Sequence, residues 1–230
     1  MNIRVRFSKH GCLKFIGHLD VMRYFQKAMR RAEIDMCYSE GFSPHMIMSF
    51  ASPLGLGLES DGEYMDISVK QSPSSKEAVE RLNAVMAEGI EVLSWRELPE
   101  NSKNAMASVA GADYEVRFRE GYELEEGWEK KLEKFLALPE IRIMKETKKG
   151  EQEVDIRPWV YDYHIKDQTI FLKVSAGSVH NLKPELLLKS FGDWAGVEIP
   201  AFALLICRKE MYADEGSETE RKLVALEELG

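Results

Sequence analysis

Two histidines, His18 and His45, carry the most versatile acid–base chemistry in the sequence, because imidazole titrates close to neutral pH. Asp20, Glu63 and Asp66 are the carboxylates that would join them in proton transfer or metal binding. Neither histidine sits at the close, helix-phased spacing of a metal motif, so no metal site is expected. Nothing in the chain supplies a nucleophile, a base and an orienting group together. His18 and His45 are therefore the only catalytic candidates, and the isolated chain is read as a binding protein before an enzyme.

The cations make a stronger pattern. Between Met1 and Arg31 stand Arg4, Arg6, Lys9, Lys14, Arg23, Lys27, Arg30 and Arg31, with Asp20 as the single acid, although the whole chain has a net charge of −8. Acids collect at the other end, at Asp214, Glu215, Glu218, Glu220, Glu227 and Glu228. Such asymmetry points to a localised anionic partner. Arg23, Lys27, Arg30 and Arg31 recur at helical spacing without acids at i±4 inside the predicted helix to pair them. Against a nucleic-acid backbone they would release counterions and make binding depend steeply on salt. Lys9 and Lys14, beside Gly11 and Gly17 at a helix start, extend this phosphate-binding set. The plainer alternative is a solvated helix face with Asp20 balancing the helix dipole.

A neighbouring pocket is expected from Gly17, His18, Asp20, Tyr38, Phe42, His45, Glu63 and Asp66. Tyr38 and Phe42 lie in a Gly/Pro-rich stretch, where they either stack on splayed bases or pin the loop to the core. Asp155 and Arg157 follow Lys148-Lys149-Gly150 in the second half, and would either pair locally or present Arg157 to a carboxylate or phosphate.

These residues need a frame. Residues 2–9 alternate as a half-buried strand, with Ile3, Val5 and Phe7 on one face and Arg4 and Arg6 on the other. A helix is predicted over 18–32, its apolar side carrying Leu19, Met22, Phe25, Met29 and Ala32. Extended segments at 36–51 and 62–70, a helix over 76–87 capped by Ser74 or Ser75, and a strand at 90–98 complete a β-α-β-β-α-β order. That order nearly repeats: strand 113–119, helix 127–138, extended 142–148 and 153–165, strand 169–175, helix 183–194, strand 201–208. The predicted fold is α+β, two tandem ferredoxin-like (βαββαβ) modules with antiparallel sheets, the second with one extra strand. The modules occupy 1–100 and 113–213, with a linker at 101–112 and a charged tail at 214–230.

Length and composition set the outer limits. A chain of 230 residues with 44% hydrophobic and 30% charged residues can bury one or two cores. No run of about 18 apolar residues is present, and the N-terminus lacks the apolar stretch of a signal peptide, so a cytoplasmic protein with no membrane partner is expected. Cys12, Cys37 and Cys207 are too few and too scattered for a disulfide framework, a zinc ribbon or an iron–sulfur cluster, and no cofactor is expected.

Taken together, the chain resembles the radical SAM-linked protein family. The residues that carry the resemblance are Lys9 and Gly11, Phe15-Ile16-Gly17-His18-Leu19-Asp20, Arg30-Arg31-Ala32, Tyr38-Ser39-Glu40-Gly41-Phe42-Ser43-Pro44-His45, the stretch from Ser49 to Gly57, and Glu63-Tyr64-Met65-Asp66. Lys149-Gly150 and Asp155-Ile156-Arg157-Pro158 add the second half. Met46 stands where proline would follow the histidine. The resemblance implies an accessory chain, encoded beside or fused to a radical SAM protein, that recognises or presents a substrate. The chain itself has no CxxxCxxC motif. Three functions are in view: binding structured RNA such as tRNA or rRNA for that partner, processing or modifying RNA through His18 and His45, and acting as a protein-binding scaffold.

Overall fold

The structure is a computed structural model that describes residues 1–147, 150–217 and 220–229. The expected Lys148-Lys149 motif and Glu218 of the acidic end lie outside the described residues. The chain is α+β, and every pairing whose register is given below is antiparallel. It forms two compact units: Met1–Gly111 joined by the chain from Arg208 onward, and Ala112–Cys207. The boundaries differ from a simple division in sequence, because the last long strand begins in the second unit and ends in the first.

The first unit opens with β1 (Asn2–Lys9), a 3-10 turn (Gly11–Phe15) and α1 (His18–Arg31). It continues through β2 (Met48–Phe50), β3 (Glu59–Ser68), α2 (Ser75–Asn83), β4 (Ile90–Leu98) and the short α3 (Ala105–Ser108). β1 lies between β4 and β3, with Val5 opposite both Met65 and Trp95. β2 pairs with β3 through Phe50 and Met65. The predicted extended segment 36–51 is thus mostly loop, because Gly41 and Pro44 interrupt it and leave three residues of ladder.

One face of these strands builds the core. Ile3, Val5, Phe7, Met65 and Ile67 are buried with Phe25 and Met29 of α1 and Ala78 and Leu82 of α2. The Phe7 and Phe25 rings meet edge to face at 4.7 Å. Ser74 caps α2 by accepting from the Glu77 N–H, as its position predicts.

The opposite face is buried too, although the sequence places Arg4 and Arg6 there. The Arg4 guanidinium, 2% exposed, makes a two-pronged pair with Asp66 at 2.9 and 3.0 Å and donates to the carbonyl oxygens of Leu226 and Lys103. Asp66 also accepts from the Ala105 N–H at 2.6 Å. Arg6 reaches Glu210 at 3.0 Å and Glu227 at 2.8 Å, and the Tyr64 hydroxyl donates to Glu210 at 2.6 Å. These groups face the end of the chain, where β11 (Leu223–Ala225) pairs with β10 (Leu204–Asp214) and Leu226 is fully buried. The part of the expected charged tail from Leu223 to Glu228 is therefore a cover over β1. β10 runs along β3 at Gly62, where a Cβ would come within 2.5 Å of the Lys209 carbonyl oxygen, so only glycine permits that approach.

The second unit contains most of β5 (Val109–Phe118), then α4 (Trp128–Leu136), β6 (Arg142–Thr147), β7 (Gly150–Asp155), β8 (Val160–Lys166), β9 (Thr169–Ser175), α5 (Pro184–Ala195) and the start of β10. Its strand order is β10-β5-β9-β8, while β6 and β7 form a separate hairpin with Arg142 opposite Asp155. The predicted extended segment 153–165 breaks at Arg157–Trp159, a 3-10 turn holding Pro158, which has no N–H for a ladder. Tyr114, Val116, Ile170, Leu172 and Val174 are buried, as are Leu132 and Phe135 of α4 and Leu187 and Phe191 of α5. Phe118 meets Trp128 at 5.3 Å and Phe135 meets Phe191 at 5.7 Å, tying β5 to α4 and α4 to α5.

Candidate functional site

α1 turns its sequence pattern into two faces. Val21, Phe25, Ala28 and Met29 are buried, while Arg23, Lys27, Arg30 and Arg31 are exposed. Spacings of four, three and one residue keep the four cations within about a third of the helix circumference. Arg23 pairs loosely with Asp20 at 3.4 Å, both well exposed. Arg31 donates to the Val85 carbonyl at 3.0 Å, beyond the end of α2. Among the described residues Lys27, Arg30 and Arg31 have no carboxylate partner, so three of the four cations carry uncompensated charge. Leu19, predicted inward, points out with this stripe and is 59% exposed. His18 takes the inward place, its ring edge-on to Phe50 at 5.1 Å.

The loop that enters α1 rests on a second charge cluster. Lys9 is 3% exposed, not a surface cation, and its ammonium donates to the Ile16 carbonyl at 3.2 Å. Burial lowers its pKa below the ordinary lysine range; Glu63 opposes that shift, and nearby Arg208 adds to it. Glu63 and Arg208 form a buried two-pronged pair at 2.8 and 2.6 Å, and Arg208 also donates to the Ser52 carbonyl. Glu63 and Asp66, expected in one pocket, thus serve separate ion pairs on opposite faces of β3.

Above this cluster the turn is fastened at its rim. Lys14 and the Gly11 N–H both bond Glu59 Oε1 at 3.2 Å. Burial pushes the Glu59 carboxyl upward, but these two donors outweigh it and hold the pKa below the usual range. His10 Nε2 lies 2.8 Å from Asp61 Oδ1, and Lys209 pairs with the other Asp61 oxygen. Asp61 is likewise held low, Lys209 and His10 overcoming the effect of burial. The Gly57 N–H donates to the Lys14 carbonyl at 2.8 Å, which ties the 55–57 turn to the backbone just before Phe15. Phe15 is 65% exposed, and Leu56 is similarly bare.

His45 has different company. Its Nδ1 lies 2.8 Å from Ser39 Oγ, which also accepts from the His45 N–H. Tyr38 and Met46 form an isolated bridge, and Phe42 projects fully into solvent from the tip of this loop. His18 and His45 therefore have separate partners. Among the described residues no group of three or more His, Cys, Asp and Glu side chains is placed to hold a metal. In the second unit Asp155 accepts from the N–H groups of Ile141 and Arg157, at 2.8 and 3.0 Å, and the Arg157 guanidinium donates to the Val160 carbonyl. Asp155 fastens the base of the β6–β7 pair, and Arg157 the turn that follows it.

Sequence reasoning missed His10, Glu59, Asp61, Arg208 and Lys209. The available signal was Arg208-Lys209-Glu210, three charges in the middle of an otherwise apolar strand, which requires partners on both faces. Among the described residues no helix is long and apolar enough to cross a membrane. No curated protein matches the chain. Residues 2–184, from β1 to the first residue of α5, match the family described as an uncharacterized protein conserved in bacteria (DUF2344), and the chain belongs to that family.

Proposed function

We propose that the protein is an accessory recognition chain that binds structured RNA and presents it to a radical SAM partner. The observation that carries the RNA reading is the outer face of α1, where Arg23, Lys27, Arg30 and Arg31 lie together and Lys27, Arg30 and Arg31 lack carboxylate partners among the described residues. In a chain of net charge −8, cations left uncompensated on one helix are placed for an external anion. Phosphates fit because they are dense, regularly spaced and solvent-facing. The sequence resemblance to the radical SAM-linked family supports the partner, and the lack of a thiolate cluster motif assigns the radical chemistry to that partner. The fold proposed for both units is ferredoxin-like. The order β4-β1-β3-β2 in the first, and β10-β5-β9-β8 with a hairpin inserted in the second, supports that reading.

A titration of the full chain with fluorescently labelled structured RNA over a range of salt tests the reading. Affinity is expected to fall steeply with salt, and Arg30→Ala with Arg31→Ala to weaken binding and flatten the salt slope by about two. Because Arg31 also holds the Val85 carbonyl, Lys27→Ala provides a variant with no such contact and a slope change of about one. Absent or salt-insensitive binding removes RNA from the proposal. The bare Phe15 and Leu19 side chains, four residues apart where the turn enters α1, favour a second reading, a docking face for the partner protein, since neighbouring exposed apolar side chains mark interaction sites. Co-purification that survives nuclease treatment would favour it.

A further inference from the structure

We infer that the RNA taken by this surface carries unpaired bases, and that Phe15 is the platform on which one of them stacks; this rests on the RNA reading above. The argument begins with how the ring is held. A phenylalanine 65% exposed on a loose loop would mean little, but this turn is fixed at three points. Lys9 holds the Ile16 carbonyl from below, Gly57 holds the Lys14 carbonyl from the side, and Glu59 holds both Gly11 and Lys14 at the rim. The backbone on both sides of Phe15 is thus pinned, so the ring is presented ready-formed and little ordering is left for binding.

Charge then selects the occupant. The Lys14 ammonium sits over the Phe15 ring at 5.6 Å and is paired with Glu59, so the cations left to meet the phosphates of a nucleotide on the exposed part of that ring are those of α1. Leu19, Arg23, Lys27 and Arg30 follow along one side of α1, and eleven residues of helix span about 17 Å. The surface therefore runs from an aromatic end, through a leucine, to a row of cations. From Val21 to Ala32 the chain contains no acid. Glu59 and Asp20, the carboxylates nearest the aromatic end in sequence or contact, are each already engaged by a cation.

A fully paired duplex does not use such a surface well. Its base faces are stacked on one another, and the deep, narrow major groove of A-form RNA excludes side chains. A strand with splayed bases satisfies both ends, with a base on the ring and the backbone along the cations.

The test uses the full chain and two fluorescently labelled RNA hairpins, identical except that one carries a single-stranded overhang. The overhang hairpin is expected to bind more tightly than the blunt one. Phe15→Ala is expected to weaken the overhang hairpin by roughly 5- to 150-fold, with the blunt hairpin and the salt slope unchanged, and Phe15→Trp to retain the preference. An exposed ring can be removed without opening the core, and circular dichroism checks that it has been. Equal binding of the two hairpins with Phe15→Ala silent overturns the stacking inference and leaves the RNA reading standing. Binding of neither hairpin overturns that reading itself. Phe15-dependent binding of an acidic, leucine-rich peptide with no effect of Phe15→Ala on RNA assigns the surface to a protein and also overturns the inference.

Discussion

The two units treat the far sides of their strands in opposite ways. In the first, the side away from α1 and α2 is closed: Arg4 pairs with Asp66 in the interior, Arg6 with Glu210 and Glu227, and Leu226 lies over them. In the second, the side facing away from the buried Tyr114, Val116, Ile170 and Leu172 leaves Arg117 well exposed and its other charged groups partly so. There Arg117 meets Glu115 at 3.3 Å with the arginine 59% exposed, Lys173 meets Asp113 at 3.8 Å, and His164 lies flat on Phe171 at 4.4 Å. Strands of similar charged and apolar alternation thus carry ion pairs of different energetic weight. Alternation says which residues share a face; it does not say whether water reaches that face.

The largest expected effect tests the closed face directly. Asp66→Ala leaves the Arg4 guanidinium buried without its carboxylate and removes the acceptor for the Ala105 N–H. Loss of one partner from a buried pair costs about 3–5 kcal/mol, which chemical denaturation would read as a lowered unfolding midpoint. Replacing both members, Arg4→Met with Asp66→Leu, is expected to recover much of that loss, since the desolvation cost of the pair disappears with the pair. A loss below about 1 kcal/mol for Asp66→Ala would mean that water reaches this face, and the contrast between the units would disappear.

That contrast also explains what could be read from the sequence. The alternation of Ile3, Val5 and Phe7, the apolar side of α1 and the Ser74 cap are local patterns, and each element formed where its pattern lies. Arg4 and Arg6 were legible as one face of β1 and not as interior groups, because their partners stand 62 to 222 residues away. The end of the chain reads as a solvated acidic tail for the same reason: Glu227 is a surface residue until Arg6 and Arg96 are placed beside it. Of the candidate site, the cation stripe was visible because helix periodicity alone sets it. The inward turn of His18 and the outward turn of Leu19 were not, since they depend on where α1 begins relative to Phe50. Lys9 was placed on the surface by its charge, and only the fold reveals the Ile16 carbonyl that draws it inside.

Intermediate in exposure is the rim of the first unit, where Glu59 and Asp61 are each about a third exposed. Both carboxyls are held below their ordinary values of 4.5 and 3.8. The folded state therefore favours their charged forms. Their contribution is fully present above those ordinary values and is lost as pH falls through the lower folded ones. Glu210 acts in the opposite sense: burial raises it past the pull of Tyr64, the Met211 N–H and Arg6, so the folded state favours its protonated form. Denaturant midpoints measured down an acid series are expected to fall less steeply in Glu59→Gln with Asp61→Asn than in the unsubstituted chain. The difference should stay at ~1 kcal/mol or less, because water screens these pairs. Identical acid profiles would show that the rim contacts add nothing to stability.

The smallest effect belongs to the open face and completes the comparison. Arg117→Ala removes a guanidinium that meets Glu115 at 3.3 Å and is otherwise largely in water. Its charge was never desolvated, so the attraction is weak, and ordering a long side chain offsets part of what remains. The expected change in unfolding free energy is about 0–1 kcal/mol, several-fold below that of Asp66→Ala, although both pairs join an arginine to a carboxylate between strand positions. If Arg117→Ala instead cost several kcal/mol, that face would have to be covered in solution, by a second copy or another molecule. A concentration series of the melting temperature would separate the two, because self-association raises the midpoint as protein is added.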